Sequence, residues 1–122
     1  MAYDLAVVGA GIVGLGHALA AARLGKRVVV IDRDAQANGA SVRNFGFVTV
    51  TGQEAGDCWT LSRRARDVWQ EIAEPAGIEI LQRGLVLAAR LPESEAVIEA
   101  FLATEMGEGC ERLTARQAQG FV

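Results

Sequence analysis

Apolar positions in the first third of the chain form two short runs separated by a helical period. Tyr3 to Val8 is mostly apolar and ends in a glycine cluster, which predicts a strand buried on both faces. Between Ile12 and Leu24 the residues Leu15, Ala18, Leu19 and Ala22 recur at spacings of three and four, and Gly25 is a natural stop. A helix is predicted there. Val28, Val29, Val30 and Ile31 make a second, β-branched run that ends at Asp32. Strand, helix and strand within about thirty residues predict a right-handed crossover between parallel strands.

Beyond this unit the pattern changes. Residues 33–47 are rich in Gln, Asn, Gly, Ser and Arg and read as a long loop of the kind that carries function. Leu61, Ala65, Val68, Trp69 and Ile72 then share one helical face, opposite Arg63, Arg64, Asp67, Gln70 and Glu71, with Asp57 or Thr60 as the expected cap. Two apolar segments around Gln82-Arg83-Gly84 predict a hairpin over 78–91, and Pro92 is placed as the first residue of a helix carrying Val97, Ile98, Phe101 and Leu102. Residues 110–122 show no clear period.

Composition narrows the function. A length of 122 residues, 51% of them hydrophobic, supports one small core. The net charge of −3 offers no basic field for nucleic acid. The longest nearly apolar stretch, Leu5 to Gly16, falls short of the ~20 residues of a membrane span. Met1-Ala2-Tyr3-Asp4 is unlike the basic start of a secretory signal, so a cytoplasmic location is expected. Cys58 and Cys110 lie far apart in no metal-like spacing, and no metal site is expected.

Chemistry enters with Gly9-Ala10-Gly11-Ile12-Val13-Gly14, a GxGxxG run placed between the predicted strand and helix. Gly9 permits the tight turn, Gly11 lets a pyrophosphate approach the backbone, and Gly14 lets helix pack closely on strand. Amides near Ile12 and Val13, with the positive end of the helix dipole, suit a diphosphate. Asp32 stands where an acid would accept hydrogen bonds from an adenosine ribose and would repel a 2'-phosphate, which favours FAD or NAD over NADP.

Asp32-Arg33 followed by Gly39-Ala40-Ser41-Val42-Arg43-Asn44-Phe45-Gly46 resembles the D-amino acid oxidase superfamily of FAD-dependent amine and amino acid oxidoreductases, which includes glycine and sarcosine oxidases. More narrowly, it is similar to a bacterial subgroup associated with aminophosphonate breakdown. The resemblance implies a Rossmann-like α/β unit for FAD over 1–76 and the start of an α+β substrate domain over 77–122, with Arg83 to Ala88 in its first hairpin. It further implies that Arg33, Ser41, Arg43 and Asn44 contact the cofactor, and that Gly46 lets backbone approach the flavin. The implied reaction is oxidation of a carbon–nitrogen bond in an amine or amino acid type of small molecule.

Members of that superfamily are much longer, so the chain is expected to be the N-terminal part of such an enzyme, with catalytic residues beyond Val122 and open strand edges apt to pair in an oligomer. Two other readings stand beside it. One is a regulatory nucleotide-sensing module of the kind attached to potassium transporters; the other is a fragment of an NAD-dependent dehydrogenase. The lone His17, the Trp59 and Trp69 rings and the Arg63, Arg64, Arg66 cluster read as structural or solvated, and Ser41 has no base to make it a nucleophile.

Overall fold

Hydrogen bonding turns the two apolar runs into a small parallel sheet. The structure, a computed structural model, describes residues 2–121. Strand β1 (Leu5–Val8) leads through the glycine turn into helix α1 (Ile12–Arg23) and on to strand β2 (Val28–Ile31). The register sets Leu5 against Val28 and Val8 against Ile31, and the expected parallel pairing is present. Helix α1 ends in a Schellman motif: Gly25, at φ +72°, donates to Ala22, and the Lys26 amide reaches back to Ala21.

Each end of the ladder is closed by an aspartate that accepts an amide of the other strand's side. At one end Asp4 Oδ2 accepts the Arg27 amide at 2.8 Å. At the other, Asp32 Oδ2 accepts the Ala10 amide at 2.6 Å, next to the Gly9 N–H bond to the Ile31 carbonyl.

Burial differs from expectation. Strand β1 is not buried on both faces: Val8 is 86% exposed. Helix α1 packs against both strands, but it covers one face only, and no other α-helix of this unit lies among the described residues to cover the second. The inward side of α1 also differs. Gly14, Ala18 and Ala21 are its half-covered positions while Leu15 and Leu19 stay exposed, because the close backbone approach at Gly14 turns small residues toward the sheet.

Compactness divides the chain after Phe47. In the second unit the long helix α2 (Asp57–Ala73) is capped by Gly56, at φ +86°, in place of Asp57 or Thr60. Asp57 instead sits in the first turn, where its charge faces the positive end of the helix dipole. Ala73 at the far end of α2 is the one apolar side chain buried among the described residues, and Leu61 on the expected apolar face stays exposed. The expected cluster is solvated and paired: Arg64 reaches Glu71 at 3.3 Å, Arg66 reaches Asp67 at 2.8 Å, and the Arg63 guanidinium lies over the Trp59 ring.

The hairpin expected over 78–91 is not formed. Gly84 supplies a turn at φ +94°, yet these residues are exposed and contain no strand. An isolated two-stranded hairpin is marginal in water, and no sheet of this unit lies among the described residues for it to join. Pro92 stands at the cap of helix α3 (Glu93–Leu102) rather than inside it. Arg112 then forks onto α3, with Nη2 3.1 Å from Glu95 and Nη1 2.9 Å from Glu99.

The tail holds an element that periodicity does not show. Thr114 and Gln117 form a capping box at the start of the single-turn helix α4 (Ala115–Ala118), each side chain accepting from the other's backbone amide. Thr114→Ala is expected to cost about 1 kcal/mol. It should raise amide exchange at Gln117 while leaving α2 unchanged.

No helix among the described residues is long and apolar enough to cross a membrane. Cys58 and Cys110 are free thiols.

Candidate cofactor-binding site

The glycine turn sits at the mouth of the strand–helix–strand unit, and each of its three motif glycines meets a different constraint: backbone conformation at Gly9, a side-chain hydroxyl at Gly11 and close backbone approach at Gly14. Gly9 has φ +102°, a conformation that L side chains rarely adopt. At Gly14 a β-carbon would overlap the Gly9 carbonyl oxygen and lie 3.2 Å from the Val7 Cγ1. These two positions confirm that the turn needs glycine at both ends of its approach. Gly11 is different: the atom facing its vacant β-position is the hydroxyl oxygen of Ser41, 3.2 Å away.

First-turn amides are the chemical resource of this turn. Those of Val13 and Gly14 carry no hydrogen bond among the described residues, while Ile12 donates to Ser41 Oγ at 2.9 Å. Open amides at a helix N-terminus, together with its dipole, bind anionic oxygen.

Asp32 faces the turn. Its Oδ2 takes the Ala10 amide and its Oδ1 takes the Asp34 amide at 2.9 Å. The Ala10 bond, followed by that of Asp34, holds the carboxyl below the ordinary aspartate range, so it is an anion throughout the neutral region. Each carboxylate oxygen retains acceptor capacity for a hydroxyl donor.

Between the turn and the loop lies a cavity of about 120 Å³, lined by Ala10, Gly11, Asp32, Ser41 and the run from Gln36 to Ala40 among others. The structure therefore brings Gly11, Asp32 and Ser41 of the expected set to this cavity, with Ile12 joined to it through Ser41, while Gly9, Val13 and Gly14 line a separate hollow beside β1. It leaves four others apart from the cavity. Arg33 is almost fully exposed and turns to Asp34 at 3.4 Å, Arg43 and Asn44 are exposed, and Gly46 takes φ +72° further along the loop. Loop composition marks the segment but not which of its side chains turn inward, and Gln36 and Asn38 join the lining without any motif to announce them.

The donor set fits an adenosine diphosphate: open amides for phosphate oxygens and an ionised acid for ribose hydroxyls, one at each side of the same turn. His17 lines the hollow beside Gly9, Val13 and Gly14, and its Nδ1 lies 2.8 Å from the Val13 carbonyl of its own helix. Among the described residues no group of three or more His, Cys, Asp or Glu could hold a metal ion.

A family model described as DAO, FAD dependent oxidoreductase, matches residues 4–121. No curated protein and no solved structure matches the chain.

Proposed function

From the premise that the chain belongs to the DAO family of FAD dependent oxidoreductases, we propose that its glycine turn, Asp32 and Ser41 hold the ADP half of FAD for the oxidation of a carbon–nitrogen bond. The observation that carries this is the pairing of unbonded first-turn amides at Val13 and Gly14 with an ionised Asp32 fixed to the same turn through Ala10. The turn amides receive the diphosphate, and Asp32 accepts from the ribose.

Arg43, Asn44 and Gly46 follow Ser41 in the same loop and are assigned to the ribityl and flavin side, with Arg33 beside the adenosine. When bound, the flavin supplies the two-electron oxidation of the substrate. The chain's own residues bind it, orient it and present the turn's positive end to its phosphates. Residues 1–76 serve the cofactor in this reading, and 77–122 begin the part that meets a small amine or amino acid substrate. The run from Gly39 to Gly46 supports the narrower aminophosphonate-associated subgroup, and the expected compartment is the cytoplasm.

The regulatory nucleotide-sensing alternative draws support from the glycine motif and the strand-end acid Asp32, whereas the family match runs nearly the length of the chain.

Titration of the purified chain with FAD, NAD and ATP in parallel tests the proposal. FAD is expected to be retained through gel filtration, with its visible absorption band co-eluting with protein. Retention of NAD or ATP in place of FAD would overturn the reading in favour of a dehydrogenase fragment or a sensing module.

A further inference from the structure

Helix α1 lacks a local cap. Its N-cap residue is Gly11, which has no side chain to accept a first-turn amide, and no acidic residue stands in that turn. A Ser, Thr, Asp or Asn would normally fill this role. The missing acceptor comes from 29 residues away in sequence, where Ser41 Oγ accepts the Ile12 amide at 2.9 Å. We infer that Ser41 is a positioning residue, a distal cap that fastens the loop of residues 33–47 onto α1, and that Gly11 lacks a β-carbon partly to admit its hydroxyl.

Three observations support the assignment. A β-carbon on Gly11 would stand 3.2 Å from Ser41 Oγ, closer than such contacts ordinarily fall, so a side chain there presses on the hydroxyl that holds the Ile12 amide. Ser41 itself is held in a short 3₁₀ turn (Ala40–Val42), closed by the Val42 bond to Gly39 and the Arg43 bond to Ala40. The other fastening of the loop is at its start, where Asp34 donates to Asp32.

Past Ser41 the run from Asn44 to Phe47 has only the stacking of Phe45 on Phe47, at 5.8 Å, among its described contacts. Ser41 is thus the point where the far half of the loop is tied down, and Arg43, Asn44 and Gly46 inherit their positions from it. The hydroxyl accepts from Ile12 and keeps its own proton to donate. A consequence for ligand affinity rests on the FAD reading above; the fastening itself does not.

The test uses the ligand-free chain first. Ser41→Ala is expected to raise hydrogen exchange at the Ile12 amide about fivefold, the worth of one ordinary hydrogen bond, and to speed tryptic cleavage after Arg43. Ser41→Thr keeps the hydroxyl and should restore both. Gly11→Ala should raise Ile12 exchange as Ser41→Ala does, and the double variant should add nothing further, since both remove one contact. Unchanged Ile12 exchange in Ser41→Ala overturns the inference. Additive effects in the double variant overturn the part assigned to Gly11.

FAD titration of the same variants is the separate arm: Ser41→Ala should weaken binding about fivefold or more, since it loosens the loop and removes a hydroxyl of the proposed cofactor site. If the unaltered chain binds no FAD, the cofactor reading fails while the exchange measurements still decide the role of Ser41.

Discussion

Gly14→Ala should abolish FAD binding and lower the melting temperature of the strand–helix–strand unit more than any other single methyl group added to the turn. Its β-carbon would overlap the Gly9 carbonyl oxygen, lie 3.1 Å from the Gly9 carbonyl carbon and 3.2 Å from a methyl of Val7. Two of those atoms are backbone, so no rotamer change relieves the clash. The start of α1 must move away from β1, at a cost on the order of 1–3 kcal/mol or more for an overpacked contact. That movement also pulls the Val13 and Gly14 amides out of line with Asp32. Gly16, two residues on, has open space at its β-position and normal helical geometry, so Gly16→Ala is the matched control and should be neutral or slightly stabilising. Circular dichroism melts and FAD titration of the two variants check this; equal behaviour would refute the close-approach role.

Asp32→Asn is the second large effect, despite its near-identical shape. Both carboxylate oxygens accept backbone N–H groups, Oδ2 from Ala10 and Oδ1 from Asp34. A carboxamide has one acceptor oxygen, so its NH₂ must face one of these donors. Either the turn or the loop start loses its fastening, and the charge that receives the ribose is gone. A loss of FAD affinity of about tenfold or more is expected, in line with hydrogen bonds to charged groups.

The pH dependence follows from the same bonds. Because the folded carboxyl titrates below its ordinary value, its contribution is complete above that value and is lost as pH falls through the lowered one. FAD affinity should therefore stay flat across the neutral range and decline only below about pH 4, with no such decline in Asp32→Asn. A binding curve that already bends near neutrality would contradict the assignment of Asp32.

What could be read from the chain depended on how local its causes are. The bounds of β2 and the start of α1 follow from a β-branched run and from glycine spacing, both written within a few residues. The contact of Ser41 with Ile12 is not, because it depends on how a loop without periodicity folds back. The burial expected of β1 is not met because an apolar run reports what a strand can bury, not what is present to cover it. The segment over 78–91 has a hairpin's composition without a sheet to join. In the tail, Thr114 and Gln117 did carry a readable signature, hidden by a helix too short to show a period.

The two aspartates that close the strand pair have one more effect. Parallel four-residue apolar strands have little in their side chains to prevent sliding, since all four side-chain pairs, Leu5 with Val28 through Val8 with Ile31, are apolar and make no hydrogen bond of their own. Asp4 and Asp32 remove that ambiguity, because a slide would strip both carboxylates of their amides together. The pair behaves as a vernier locked at both ends of its scale, and the height of the glycine turn above β2 is the quantity it calibrates.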